Sequence, residues 1–334
     1  MKLNKLLFCV FTFLFFIITE SNASKKNKNS KDWSISFSKK QLELKGKKGI
    51  GLTMRSPEDA KKRKKSKVSW LDNGPKVESL DVSWNYSWGN TIAPTQPNDV
   101  EFTPMSWGGG GLKNIDLKKK FSAQIKSGKF KRYLGFNEPD KKEQSNMHFM
   151  KAIELWPMLM ELGIPLCSPS CANPEGINDN SVQGVAGTWM KDFMKEADKR
   201  NYRVDYIGVH WYGGSNVKNF KDKMKRIYKK YGSRPLLVTE FAPADWKAKT
   251  PNKNRISPKK VLTFMKDVLP WMEEQDWILG YAWFPFGIDT PQGTSSALFR
   301  KDGSLTACGE YYKSITPDNP KGNQSIKADP PHCK

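Results

Sequence analysis

The sequence predicts an α/β fold: a single domain closed into a (β/α)8 TIM barrel of parallel strands. Three observations predict it. Eight short β-rich segments recur along the chain, several are separated by stretches with helical hydrophobic periodicity, and the 334 residues exceed what such a barrel needs. An open doubly wound sheet is the runner-up. It calls for a Gly-rich first βα turn, and Arg55-Ser56-Pro57-Glu58 after the first strand offers none.

Residues 1–23 read as a processing signal. Lys2 and Lys5 precede a 13-residue apolar run at 6–18, broken only by Thr12, and Ser21-Asn22-Ala23 suits cleavage. The run is short for a membrane span, so an exported chain without a membrane span is expected. Residues 24–46 are rich in Lys, Asn and Ser and poor in apolar residues, and are expected to form a disordered basic extension. Residues 25–67 carry 16 Lys or Arg against four acidic residues, more than half of the formal net charge of +22. That run suits a solvated tail or contact with acidic wall or surface polymers; export disfavours nucleic acid as a partner.

The barrel is assigned to 47–316 and a C-terminal tail to 317–334. Its strands are read at 49–54, 79–84, 101–106, 132–136, 165–168, 204–210, 235–239 and 280–284. Helical spacing covers 146–162, with apolar Phe149, Ile153, Trp156, Leu159 and Met160, Gly163 as a stop, and Pro157 expected to kink or divide it. Residues 188–197, 217–231 and 258–275 behave similarly, the last opened by Ser257-Pro258 as cap and first turn. The glycines at 108–111 follow a strand without the Lys-Ser/Thr of a phosphate loop, and read as a pliable loop near a ligand. Beyond Cys9, Cys167, Cys171, Cys308 and Cys333 permit two disulfides, Cys167–Cys171 and Cys308–Cys333 being one pairing. Asn85-Tyr86-Ser87 and Asn323-Gln324-Ser325 match glycosylation acceptors, the first awkwardly placed beside a strand end.

Chemistry concentrates at two strand ends. Tyr133-Leu134-Gly135-Phe136-Asn137-Glu138-Pro139-Asp140 ends the fourth strand, and Leu237-Val238-Thr239-Glu240-Phe241-Ala242 the seventh. Barrel strands converge at their C-terminal ends on one mouth, so Glu138 and Glu240 face each other there. Glycosidic cleavage needs such a pair, one acid to protonate the leaving oxygen and one carboxylate to attack. Either glutamate alone reads more readily as a surface or salt-bridge residue. Aromatic residues sit at neighbouring exits: Trp107 after the third strand, His210-Trp211-Tyr212 on the sixth, Trp246 beyond the seventh and Trp283 on the eighth. Flat rings suit the apolar faces of sugars, and Trp107, Trp246 and Trp283 are read as ligand contacts, Trp156, Trp189 and Trp271 as core. His210 is placed to orient Glu240 or bond a sugar hydroxyl. The chemistry requires no metal and no cofactor.

The Asn-Glu pair resembles the large clan of retaining glycosidases whose acid/base follows an Asn on strand four and whose nucleophile ends strand seven. In that clan the Asn bonds the sugar 2-hydroxyl, which gives Asn137 its implied role. Gly135-Phe136-Asn137-Glu138-Pro139-Asp140, Ser168-Pro169-Ser170, Gly208-Val209-His210-Trp211-Tyr212 and Val238-Thr239-Glu240-Phe241-Ala242 together resemble glycoside hydrolase family 128, the alkali-sensitive-linkage-like secreted β-1,3-glucanases. The resemblance spans about 49–315. It implies a retaining endo-β-1,3-glucanase acting on β-glucan, with Glu138 as acid/base, Glu240 as nucleophile, and sugar contacts from Asn137, His210, Tyr212 and Trp283; a monomer is expected. The alternatives are a glucan-binding or wall-structural protein without turnover, and a glycosidase for another β-linked polysaccharide.

Overall fold

The computed structural model describes residues 35–54, 73–175 and 189–331. The signal segment, the first part of the basic extension and Cys333 lie outside these. The strands are β1 (Lys48–Gly51), β2 (Trp84–Tyr86), β3 (Glu101–Phe102), β4 (Tyr133–Leu134), β5 (Leu166–Cys167), β6 (Ile207–Trp211), β7 (Leu236–Phe241) and β8 (Ile278–Trp283). The helices are α1 (Lys39–Leu42), α2 (Gly74–Ser79), α3 (Leu117–Lys126), α4 (Phe149–Met160), α5 (Trp189–Lys199), α6 (Val217–Lys230), α7 (Pro258–Glu274) and α8 (Ala307–Ser314).

Six strands form one parallel sheet in the order β3-β2-β1-β8-β7-β6, and β4 pairs with β5. Single parallel bridges, Met105 to Leu134 and Cys167 to Tyr206, join the two groups on both sides. Leu134 N donates to the Pro104 carbonyl at 2.9 Å, and Ser168 N to that of Tyr206 at 2.9 Å. The ring thus closes in chain order, as the sequence predicts. The β2–β3 connection, residues 87–100, departs from the regular alternation because it carries no helix.

Alternation along the strands divides the apolar residues into two layers. Trp84, Met105, Leu134, Tyr206, Leu237 and Leu279 fill the barrel, whereas Val209, Val238, Phe241, Tyr281 and Trp283 face the helices. At about 25 cal/mol per Å² of buried apolar area, the larger outer layer dominates the stabilisation.

Four expectations need correction. The second strand, read at 79–84, begins only at Trp84; Pro75 near its start initiates α2 instead, and Asp81 (φ 51°) turns the chain into β2. Pro157 does not divide its helix, because α4 runs on to Met160 with Trp156, Leu159 and Met160 buried. Residues 35–46, read as part of a disordered extension, are ordered: Leu42 and Leu44 pack under the barrel, and Tyr206 Oη donates to the Leu42 carbonyl at 2.7 Å. Cys167 and Cys171 are buried free thiols. Four residues of extended chain separate them by about 13 Å, too far for a disulfide, which closes Cα atoms within about 7 Å. Cys308 is also a buried free thiol, while its expected partner Cys333 lies outside the described residues. The tail from 317 docks on the barrel, with Lys266 Nζ donating to the carbonyls of Gln324 and Ile326.

Candidate active site

Glu138 and Glu240 reach one mouth by different backbone devices. Beyond β4 the chain keeps pairing with the segment after β5, through the bridge of Asn137 to Ser170 and Glu138 N donating to the Ser170 carbonyl at 2.8 Å. Gly135 allows this approach, since a Cβ there would stand 2.8 Å from Pro169 N. Glu138 itself has φ 38°, in the left-handed region that non-glycine residues avoid. Asp140 then latches the loop: its carboxylate accepts from Ala172 N and Asn173 N, both at 2.9 Å. Burial raises the Asp140 carboxyl above its ordinary value, and those two N–H groups oppose the rise.

Glu240 depends on a bulge. Between Val238 and Phe241 strand β7 holds one residue more than β8 opposite, and one more than β6 between Leu237 and Glu240. The extra residue lets Thr239 and Glu240 both face inward while Val238 and Phe241 face the helices. On β6, Gly208 is required by the approach of Ser170, whose Oγ would lie 2.2 Å from a Cβ.

The two carboxylates meet at a histidine. His210 Nδ1 is 3.0 Å from Glu138 Oε1 and 3.4 Å from Glu240 Oε2. One oxygen of each glutamate and a ring nitrogen of His210 lie within 4.8 Å of one another. Oxygens this close are compatible with the close carboxyl pair of a double displacement. Burial disfavours charge on His210, but the carboxylates of Glu240 and Glu138 outweigh it and raise its pKa above the ordinary value.

Neutral donors surround Glu240. Trp88 Nε1 donates to Oε1 at 2.7 Å, Tyr86 Oη reaches the same oxygen at 3.2 Å, and Tyr212 Oη donates to Oε2. Burial, then the Glu240 charge, keeps both phenols protonated well above their ordinary range, so both act as donors. Glu138, His210 and Glu240 are also a set that could grip a cation. The donors directed at both Glu240 oxygens suit an organic reaction at that carboxylate better, because they occupy lone pairs a metal would use.

Asn137 is buried beside Glu138; its Nδ2 donates to Gln144 Oε1 at 3.3 Å, and its Oδ1 has no protein partner. His210 Nε2 is likewise buried without a partner. Both are buried polar atoms left unbonded within the protein beside the glutamate pair. Trp107 and Trp246 stand on the rim, 42% and 58% exposed, the latter anchored by its Nε1 to the Tyr212 carbonyl at 3.0 Å.

Trp283 does not join them. It is fully buried in the outer layer, its Nε1 bonded to the Ser296 carbonyl at 2.8 Å and its ring packed on Phe241. Alternation gives the mouth Phe284 instead, which lies edge-on to Tyr212, Trp88 and Phe286. Sequence reasoning assigned no site role to Phe284, Phe286, Tyr86 or Trp88. A strict inward–outward count along β8 would have found Phe284. Tyr86 drew notice only as part of a glycosylation triplet, which is unusable because Asn85 is fully buried, its Oδ1 accepting from Gln96.

Comparison with known proteins agrees with this geometry. The family described as glycosyl hydrolase catalytic core matches residues 54–312. No curated protein matches the chain. Among solved structures, an endo-β-1,3-glucanase of family 128 subgroup I from Amycolatopsis mediterranei, in complex with laminarihexaose, is 25% identical with TM-score 0.61, covering 80% of this chain and 98% of that one. A subgroup II endo-β-1,3-glucanase from Sorangium cellulosum is 26% identical with TM-score 0.60, covering 81% and 98%. A subgroup III curdlan-specific exo-β-1,3-glucanase from Blastomyces gilchristii, in complex with glucose, is 26% identical with TM-score 0.57, covering 80% and 98%. With the glutamate pair at the ends of β4 and β7, these likenesses identify the chain as a glycoside hydrolase of the glycosyl hydrolase catalytic core family, in family 128.

Proposed function

We propose that the protein is an exported endo-β-1,3-glucanase that cleaves glucan with net retention. The observation that carries the reading is the close pair of buried carboxylates sharing His210 Nδ1 at the mouth of the barrel. Glu138 protonates the glycosidic oxygen while Glu240 attacks the anomeric carbon; Glu138 then takes a proton from the water that releases the sugar. Asn137 Oδ1 accepts from a sugar hydroxyl, His210 Nε2 accepts from or donates to one according to its protonation, and Trp107 and Trp246 offer flat surfaces to glucose rings on the rim. The linkage is supported by the solved relatives, which are named for β-1,3-glucan cleavage and one of which holds laminarihexaose. Export rests on the apolar run at 6–18, and the basic residues at 25–67 suit attachment to an acidic wall.

Incubation with laminarin or curdlan tests the reading: reducing ends are expected, as a ladder of oligosaccharides if cleavage is internal. Binding without release of reducing ends would favour a non-catalytic glucan-binding protein. A panel of β-1,3, β-1,4 and mixed-linkage oligosaccharides tests the linkage, and cleavage confined to β-1,4 bonds would overturn it.

A further inference from the structure

The two oxygens of Glu240 are held differently. Oε1 receives Trp88 Nε1 at 2.7 Å, and an indole N–H has no alternative role to that of donor. Tyr86 Oη lies 3.2 Å from the same oxygen but 2.9 Å from the Thr239 carbonyl, so its single proton is divided between them. Oε2 receives the Tyr212 hydroxyl and lies 3.4 Å from His210 Nδ1, the atom that also contacts Glu138. Oε2 is therefore the oxygen on the Glu138 side, where a glycosidic bond between acid and nucleophile has to sit. Oε1 is turned towards β2.

The indole is aimed at some cost. Trp88 has φ 54°, a left-handed backbone unfavourable for a bulky residue. Its ring is wedged between Tyr86, 5.0 Å between centroids, and the edge of Phe284, 5.9 Å. A strained residue held by packing and delivering one N–H to a reacting carboxylate points to a role in the reaction.

We propose that Trp88 is a positioning residue that reserves Oε2 of Glu240 for attack and then helps the covalent intermediate to break down. This rests on the double displacement described above. In the first step an Oε2 lone pair bonds to the anomeric carbon. The glycosidic bond breaks, and its electron pair stays on the leaving oxygen, which takes the Glu138 proton. Oε1 becomes the carbonyl oxygen of the glycosyl ester, still bonded by Trp88. In the second step a water oxygen bonds to the anomeric carbon and its proton passes to Glu138. The bond to Oε2 breaks, its electron pair returns to Glu240, and the charge spreads onto Oε1. A hydrogen bond to a carboxylate is stronger than one to a neutral acyl oxygen. The Trp88 bond therefore weakens as the ester forms and strengthens as it breaks, which favours the second step specifically.

The test uses an aryl β-laminaribioside with a good leaving group, for which ester breakdown limits kcat and ester formation sets kcat/KM. Trp88→Phe keeps the ring packing and removes the N–H. We expect kcat to fall about 10- to 100-fold, somewhat less than the loss of a full oxyanion donor. Expected with it are a kcat/KM within about fivefold of the parent and a burst of aryl alcohol of about one equivalent per enzyme, as in the parent, followed by a steady state slowed in proportion to kcat. Equal falls in kcat and kcat/KM, or no change in either, would overturn the proposal. Tyr86→Phe, which removes the divided proton, is expected to move kcat alone by a few-fold, and it decides the question by the same criterion if Trp88→Phe does not fold. Release of the α-anomer of laminaribiose by the parent enzyme, in place of the β-anomer, would sink the double-displacement reading itself, independently of either variant.

Discussion

Two lysines at the base of the barrel and two buried glutamates at its mouth are held in opposite ways. At the base, Lys47 Nζ donates to the carbonyls of Met272, Glu273 and Gln275, and Lys48 Nζ to those of Leu80, Tyr312, Lys313 and Ile315. These are the open carbonyls where α2, α7 and α8 end, so two adjacent lysines, one just before β1 and one at its start, cap three helices. Burial brings the Lys48 ammonium down to about 8, yet it stays well bonded. At the mouth the buried charges are carboxylates directed at one another and at neutral donors, with a left-handed backbone at Glu138 and Trp88 and unpartnered atoms on Asn137 and His210. The two lysines are fully bonded and serve stability. At the mouth, Asn137 Oδ1 and His210 Nε2 are left unbonded beside the glutamate pair.

If that contrast holds, substitutions at the mouth change chemistry with little effect on stability, and those at the base do the reverse. Glu240→Gln is expected to lower kcat by about 10⁴-fold or more, because no glycosyl ester forms. Its unfolding midpoint should stay near the parent value; a fall of many degrees would mean the mouth is a stability element. Glu138→Ala should cost about 10²- to 10⁴-fold on natural glucan but much less on substrates with good leaving groups, with azide restoring turnover. Full activity on glucan would remove Glu138 from its role. Lys48→Met should destabilise the fold by about 2–4 kcal/mol in denaturant titrations by leaving carbonyls unbonded, while kcat per folded molecule stays unchanged.

Smaller effects follow at His210 and Trp246. The pKa of His210 is raised in the folded state by the carboxylates of Glu240 and Glu138. Its charged form therefore adds stability below its unfolded pKa of about 6.5, and this is lost as pH rises through the raised folded value. In His210→Asn that part of the pH dependence should vanish from thermal unfolding curves recorded between pH 5 and pH 9, as conditions of measurement. An unchanged curve would separate the histidine from the carboxylates. Trp246→Ala should raise KM for long oligosaccharides about 2- to 10-fold with kcat preserved, the size expected of one aromatic platform.

Much of the mouth was legible because chemistry and spacing coincide. Asn137-Glu138 and Glu240 follow short β-rich runs, and strand count alone sets them across the barrel. The backbone devices were not legible. The extra residue in β7 changes which side chains face inward without changing composition, and the left-handed turns at Glu138 and Trp88 carry no glycine to announce them. Trp283 was misplaced because an aromatic at a strand end reads alike on either face; one step of alternation sends it to the core and Phe284 to the mouth. Residues 35–46 were read as disordered from their lysines, but Leu42 and Leu44 suffice to seat them under the barrel.

The central claim is that Glu138 and Glu240 act together in a double displacement. It is tested most directly by proton NMR of the first products released from a laminari-oligosaccharide, before the anomers equilibrate. The close carboxylate pair predicts that the β-anomer appears first and the α-anomer grows in only by mutarotation. Initial release of the α-anomer would contradict the account, because it would require a water between the two glutamates in place of a bond to Glu240.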